Sequence, residues 1–247
     1  MKLIVIGEAC KDVFIYGESK RLSPEAPVPV LNPIEVVSNF GMSGNVVENL
    51  KTLDEKIEII HWYQSELITK TRYVEKKSNH MFLRVDEGEE KIKPFELNIS
   101  KTNAIKNVDG VIISDYNKGF LTEEVLMEIT ENAKFSIIDT KKKINEFLVE
   151  KFSFVKLNES EFSKHNFTGD KLDNILITLG SKGAKHKDMI YPSPDPKETI
   201  DVSGAGDTFT ASFTLKYLQT KDVEQSIIFA NKMASKVVAK RGVVTPE

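Results

Sequence analysis

The chain opens on an unbroken apolar run, KLIVIG, residues 2–7. A strand with one wet face alternates apolar and polar positions, so a run without alternation predicts a strand buried on both faces of a sheet. DVFIYGESKRLSPEAPVPVLNP follows, with β-rich pieces around a proline-dense stretch that excludes helix and suits short edge strands or a lid. SGNVVENLKTL reads as a helix. IEIIHWY and TKTRYVEKKSNHMFLRVDEGE read as extended segments, the second a hairpin. From about residue 96 the pattern becomes regular, with helices expected near 96–106, 122–133 and 204–219 between the apolar runs VDGVIISD, FSIIDT, FSFVKL and NILITLG. That alternation predicts βαβ units and an α/β fold: a mostly parallel central sheet flanked by helices. A last helix is expected near 222–240, with Asp222 as its N-cap. With no internal repeat or low-complexity linker, residues 1–247 read as one α/β domain. Its small β-rich lid is formed by parts of about 12–34 and 69–88.

Composition narrows the classes of function. Forty per cent hydrophobic and 29% charged residues describe an ordinary globular chain. A net charge of −3, with lysines and acids interleaved, provides no basic patch for nucleic acid. No apolar run approaches the roughly 20 residues that cross a bilayer, and the short apolar start turns acidic too soon for a signal peptide. Neither a nucleic-acid nor a membrane partner is expected. Cys10 stands alone and can form no internal disulfide, which fits a reducing cytoplasm. His61, His80, His165 and His186 lack metal-ligand spacing.

The densest chemistry lies in DVSGAGDTF, residues 201–209. FTASFTLKYL after Asp207 is nearly all apolar or small, so it predicts a buried helix whose first N–H groups have no partner within the helix. Gly204, Ala205 and Gly206 leave that tip without bulk, so an anion can reach the N–H groups, helped by a dipole worth about 1 kcal/mol or less. A phosphate fits there, yet Asp207 would repel one. The carboxylate makes sense if it faces an attacking hydroxyl and takes its proton during phosphoryl transfer. The spacing alone fits equally a glycine-rich turn with Asp207 as a cap.

DVSGAGDTF closely resembles the D-T-x-G-A-G-D signature of the ribokinase-like (PfkB) carbohydrate kinases, with Val202 in place of the usual threonine. The resemblance implies a ribokinase-like fold, an anion hole at Gly204, Ala205 and Gly206, and Asp207 as catalytic base. Weaker motifs recur in the family's order. GEACKD resembles G-[DE]-x-x-x-D and implies that Asp12 binds sugar hydroxyls. FGMSGN stands where the family has G-G-x-x-N: Gly41 and Asn45 match, implying sugar contacts, but Met42 replaces the second glycine. KLNESEF resembles N-x-x-E, implying that Asn158 serves the nucleotide and that Glu161 organises Mg2+ through water. TLGSKG resembles the nucleotide-side turn, implying ATP contacts at Thr178, Gly180 and Gly183, and Asn231 falls on the adenine-pocket helix. Neither a Walker A loop nor a G-x-G-x-x-G fingerprint occurs. The family's cofactors would be ATP and Mg2+; whether potassium (K+) tunes the anion hole stays open.

RLSPEAPVPVL resembles, almost letter for letter, a segment of the D-glycero-β-D-manno-heptose-7-phosphate kinases, the kinase half of bifunctional heptose kinase–adenylyltransferases. The segment TKTRY to RVDEG, IISDYNKGFLT and IIDTKK resemble the same kinases. The implied substrate is a small-molecule sugar phosphate, with Arg84 and Lys118 as its binding cations and Arg72, Arg21 and Lys141 as further candidates. Arginine suits bidentate phosphate recognition and lysine a point-charge contact. The resemblance also implies a homodimer through the β-lid. Between the Asn45 helix and TKTRY a βαβ unit looks shortened, and nothing after GVVTPE could form an adenylyltransferase, so a trimmed, kinase-only chain is expected. Two alternatives remain: a kinase for another sugar, or a catalytically weak regulatory protein that binds nucleotide or sugar phosphate.

Overall fold

The computed structural model describes residues 1–165, 167, 173–194, 203–238 and 245–246. Asp201 and Val202 of the glycine motif lie outside them. The opening run forms β1 (Lys2–Gly7), the next-to-outermost strand of an eight-stranded sheet. β1 lies between β4 (Glu58–Trp62) and β7 (Gly110–Asp115), parallel to both. The sheet continues in parallel through β8 (Ser136–Thr140), β9 (Phe154–Asn158) and β10 (Ile175–Thr178). It ends in two antiparallel strands, β11 (Ala184–His186) and β12 (Met189–Tyr191).

Helices cover both faces, which is why the inner strands β7, β8 and β9 carry no exposed positions. On one side Ile4, Ile6, Val111 and Ile113 pack with Ile105 of α2 (Ile99–Lys106), Leu126 and Ile129 of α3 (Glu123–Asn132), and Leu148 of α4 (Glu146–Lys151). On the other, Leu3, Val5 and Ile112 meet Val46 and Leu50 of α1 (Ser43–Leu53). The same layer holds Phe209 and Phe213 of α6 (Ala205–Thr220) and Ile227 of α7 (Val223–Val238). The strand period of two therefore splits each apolar run between two cores. Asp222 precedes α7, and its Oδ1 accepts from Gln225 N at 3.0 Å. Among the described residues, no helix is long and apolar enough to cross a membrane.

A separate four-stranded sheet leaves the same edge. Its order is β3–β2–β5–β6, built from β2 (Ala9–Leu22), β3 (Pro29–Met42), β5 (Thr69–Glu75) and β6 (Met81–Glu87). Pro24 and Pro27 sit in the bend between β2 and β3, which each run 14 residues, not the short strands expected. Pro29 and Pro33 are tolerated because β3 is an edge, where a missing N–H breaks no inner ladder. The register against β2 slips between Tyr16 and Gly17, which leaves Ile34 without an opposing residue. The β11–β12 hairpin, α4 and the four-residue α5 (Glu159–Phe162) were not expected: strands of three residues carry too little periodicity to read.

One buried carboxylate ties the two sheets to the future site. Glu8, between β1 and β2, is fully enclosed. It accepts from the backbone N–H groups of Tyr116 and Lys118, each at 2.9 Å, and Phe120 at 3.4 Å. Burial, then the nearby Asp115 charge, raises its pKa against these bonds. Glu8→Ala strands these amides and should lower unfolding free energy by about 3 kcal/mol. Urea denaturation measures it; a loss below about 1 kcal/mol would mean that water replaces the carboxylate.

Candidate active site

The expected helix after the glycines is α6, and its tip is bare backbone. Gly204 sits at φ 81°, the left-handed region that a side chain disfavours, and no side chain caps the helix. A Cβ on Gly206 would lie 2.9 Å from Lys156 Nζ, so the second glycine makes room for a lysine. Asp207 on the first turn is buried. Its Oδ2 accepts from Asn45 Nδ2 at 2.9 Å and its Oδ1 from the Tyr116 hydroxyl at 3.0 Å. Burial, and then the charge of Asp139, push the Asp207 carboxyl up to about 6. The bonds from Asn45 and Tyr116 and the charge of Lys156 act in the opposite direction. A carboxylate that ionises near neutrality is suited to take a proton and return it.

The tip opens onto a cavity of about 470 Å³. Gly204 to Asp207 form one wall, and Asn158, Thr178, Gly180 and Gly183, at or just beyond the carboxyl ends of β9 and β10, form another. This is the edge at which parallel sheets bind ligands. Gly183, at φ 97°, lies so close to Tyr191 that a Cβ would overlap its carbonyl oxygen. Asn231 of α7 also lines the cavity, but its amide donates to Tyr191 O at 2.8 Å and so anchors β12. Asn158 caps α5 in a capping box with Glu161: Glu161 N donates to Asn158 Oδ1 at 2.7 Å, and Asn158 N to Glu161 Oε2 at 2.8 Å.

Three residues of this cavity were not singled out from the sequence: Tyr116, Asp139 and Lys156. Lys156 Nζ and Asp139 Oδ2 form a buried ion pair at 2.8 Å, and Thr210 Oγ1 donates to the same oxygen at 3.3 Å. The available signal was a lysine inside the apolar run FSFVKL, since a charge in a strand buried on both faces needs a reason. Lys141 was considered for the sugar phosphate, but it lines this cavity instead. Its Nζ meets Glu161 Oε1 at 2.8 Å. Burial opposes its charge, but Asp139 and Glu161 outweigh burial and raise its pKa.

Mg2+ keeps most of its waters and binds one or two carboxylates plus substrate phosphates. The donor set fits that mode: Asp139 lies on the wall and Glu161 stands behind Lys141 and Asn158. Among the described residues no three acidic, histidine or cysteine side chains converge to hold a metal by themselves.

The expected sugar contacts gather on and beside the second sheet. Asp12 is buried, with Oδ1 2.5 Å from Arg72 Nη1, and a Cβ on Gly41 would overlap its carboxylate. Lys118 and Lys70 share Glu89, at 2.5 and 3.4 Å. Arg84 stands opposite Arg72 in the β5–β6 ladder and grips Asp86 with Nε–Oδ1 and Nη2–Oδ2 contacts of 2.7 Å. Arg21, near the far end of β2, is exposed. Asn45 hydrogen-bonds to Asp207 and thereby joins α1 to the tip of α6. Met42 caps α1 at φ 57°, ψ −130°. A glycine at this position would reach that conformation without strain.

Comparison with known proteins agrees with this geometry. The model of the pfkB family carbohydrate kinases matches residues 54–247. Bifunctional protein HldE of Helicobacter pylori strain J99 is 31% identical over 98% of this chain, which spans 63% of that relative. The alignment covers 296 positions, more than this chain has residues, so the relative carries segments absent here. Among solved structures, Arabidopsis thaliana ribokinase complexed with ribose and ATP superposes with a TM-score of 0.72 at 16% identity, covering 97% of this chain and 93% of the ribokinase. Thermotoga maritima ribokinase gives 0.71 at 17%, covering 98% and 94%. The ribokinase-like fold, the glycine tip with its enclosed aspartate and the family match lead to one conclusion: the chain belongs to the pfkB family of carbohydrate kinases.

Proposed function

We propose that this chain transfers the γ-phosphoryl group of ATP to the anomeric hydroxyl of D-glycero-β-D-manno-heptose 7-phosphate, giving the 1,7-bisphosphate. The observation that carries the reading is Asp207, enclosed beside a bare helix tip on a cavity of nucleotide size. Asp207 orients the acceptor hydroxyl and takes its proton, and the backbone of 204–206 with Lys156 stabilises charge on the group in transit. Asp139 on the wall and, through water, Glu161 would hold Mg2+, which would supply charge neutralisation for the phosphates. The resemblance of RLSPEAPVPVL to heptose-7-phosphate kinases supports the heptose, and so does the sugar side. Lys70, Arg72, Arg84 and Lys118 lie among Asp12, Asp86 and Glu89, so an incoming phosphate can displace an acid from a cation already in place. Asp12 keeps its role in holding sugar hydroxyls. We also read Thr178, Gly180, Gly183 and Asn231 as the ATP side, K+ near the anion hole as an open addition, and a cytoplasmic location. A homodimer is proposed through the second sheet, where Ile34, Val36 and Leu83 are exposed.

One observation favours a weaker catalyst that binds more than it turns over. Met42 holds a conformation costing about 1–3 kcal/mol at the place where the sugar approaches. A different sugar in a narrower pocket is the matching alternative among kinases.

Asp207→Asn should lower kcat about a hundredfold or more and leave the Kd for ATP within a few-fold, measured by ADP release against a panel of sugar phosphates. Equal slowness of wild type and variant on every sugar would leave the binding reading standing. Because Asp207 must be ionised to accept a proton and its pKa is raised to about 6, kcat/KM should hold above that pH. It should fall about tenfold per unit below that pH, as a single-proton base requires. A flat profile down to pH 5 would remove Asp207 as the base. Lys118→Ala should raise KM for the sugar phosphate about tenfold or more and leave KM for ATP nearly unchanged, on the scale of one lost charge-assisted contact. An unchanged sugar KM takes Lys118 out of the site.

A further inference from the structure

Tyr116 stands between the two halves of the site. Its hydroxyl donates to Asp207 Oδ1 at 3.0 Å while Asn45 donates to Oδ2, so both oxygens of the carboxylate are engaged. Tyr116 packs against the cluster of Cys10, Met42 and Ile68 and also lines the cavity. The ammonium groups of Lys70 and Lys141 lie 5.8 and 5.4 Å from its centroid. Lys70 reaches it from the second sheet and Lys141 from the cavity. Asp12, Arg72, Arg84 and Lys118 line no part of that cavity. A hydroxyl donating to Asp207 Oδ1 is the interaction that an acceptor alcohol must make, and here a phenol already makes it.

We propose that the Tyr116 hydroxyl holds the acceptor's place on Asp207 until a sugar arrives, and thereby keeps water from taking the phosphoryl group. The inference rests on Asp207 being the base of the proposed reaction. In the side reaction suppressed, the oxygen of water bonds to the γ-phosphorus and the bond from that phosphorus to the bridging oxygen of ADP breaks. The proton released by water passes to Asp207. Closed active sites exist in part to prevent such hydrolysis. The swap needs only the side chain to move, because Glu8 holds the backbone of residue 116. The hydrogen bond lost to the phenol is remade to the sugar, so exchange carries little net change in hydrogen bonding.

The test compares ATP hydrolysis without sugar, and phosphorylation of heptose 7-phosphate, in wild type and Tyr116→Phe, which removes one oxygen. Sugar-independent hydrolysis should rise at least tenfold, while KM for the sugar falls because its place is no longer contested. Tyr116→Leu, with a thermal melt on both variants, serves as the second probe should the phenylalanine variant pack poorly. Hydrolysis at the wild-type level in a folded variant overturns the proposal. Asp207→Asn separates the two readings. If wild-type phosphorylation depends on Asp207 but hydrolysis ignores Tyr116, only the placeholder role fails. If nothing depends on Asp207, the kinase reading fails with it.

Discussion

Everything in the site follows from burying a carboxylate at a helix start that has no side chains to spare. Water would stabilise the charge of Asp207 at no structural cost; enclosed, the charge needs the Asn45 amide, the Tyr116 hydroxyl and the field of Lys156. These arrive from three different elements, α1, the segment after β7, and β9. The carboxylate therefore acts as the knot at which helix, loop and sheet are fastened. Asp139 makes the arrangement tense, since a second acid nearby opposes ionisation while its own charge is held by Lys156.

The sheet supplies these groups in a regular way. β7, β8, β9 and β10 run parallel, so their carboxyl ends fall along one rim. That rim presents Tyr116, Asp139, Asn158 and Thr178 in spatial order. Glu8 extends the rim to β1 and fixes the loop that carries Tyr116 and Lys118. A polar group at the end of each strand, with apolar packing on both faces below, is what permits a charged cavity in a close-packed protein.

Much of this was legible in the residues. Runs such as VDGVIISD and FSIIDT announced strands covered on both sides, and GAGD announced a phosphate-ready helix tip. What stayed hidden was pairing. Lys118 and Arg84 read as cations for a sugar phosphate; the acid each has within reach, Glu89 from a different segment and Asp86 two residues on along the same strand, was not read. Asn45 read as a sugar contact, and its bond to Asp207 across 162 positions of sequence had no sequence signal. Tyr116 stands inside the IISDYNKGFLT segment, but the resemblance gives a role there only to Lys118. Such contacts are set by topology, which periodicity along the chain does not encode.

The unmatched residue at Ile34 and the prolines at 29 and 33 bear on how the chain behaves in a crowded solution. An open strand edge is a template on which further copies can add without limit. Each proline removes one N–H donor from the edge strand, and the register slips beside Pro33. Beyond Pro33, Val36 and Val37 are exposed on this edge strand. Pairing of two copies through this sheet, as proposed, would meet a finite patch in place of an open edge, which favours closed pairs over filaments.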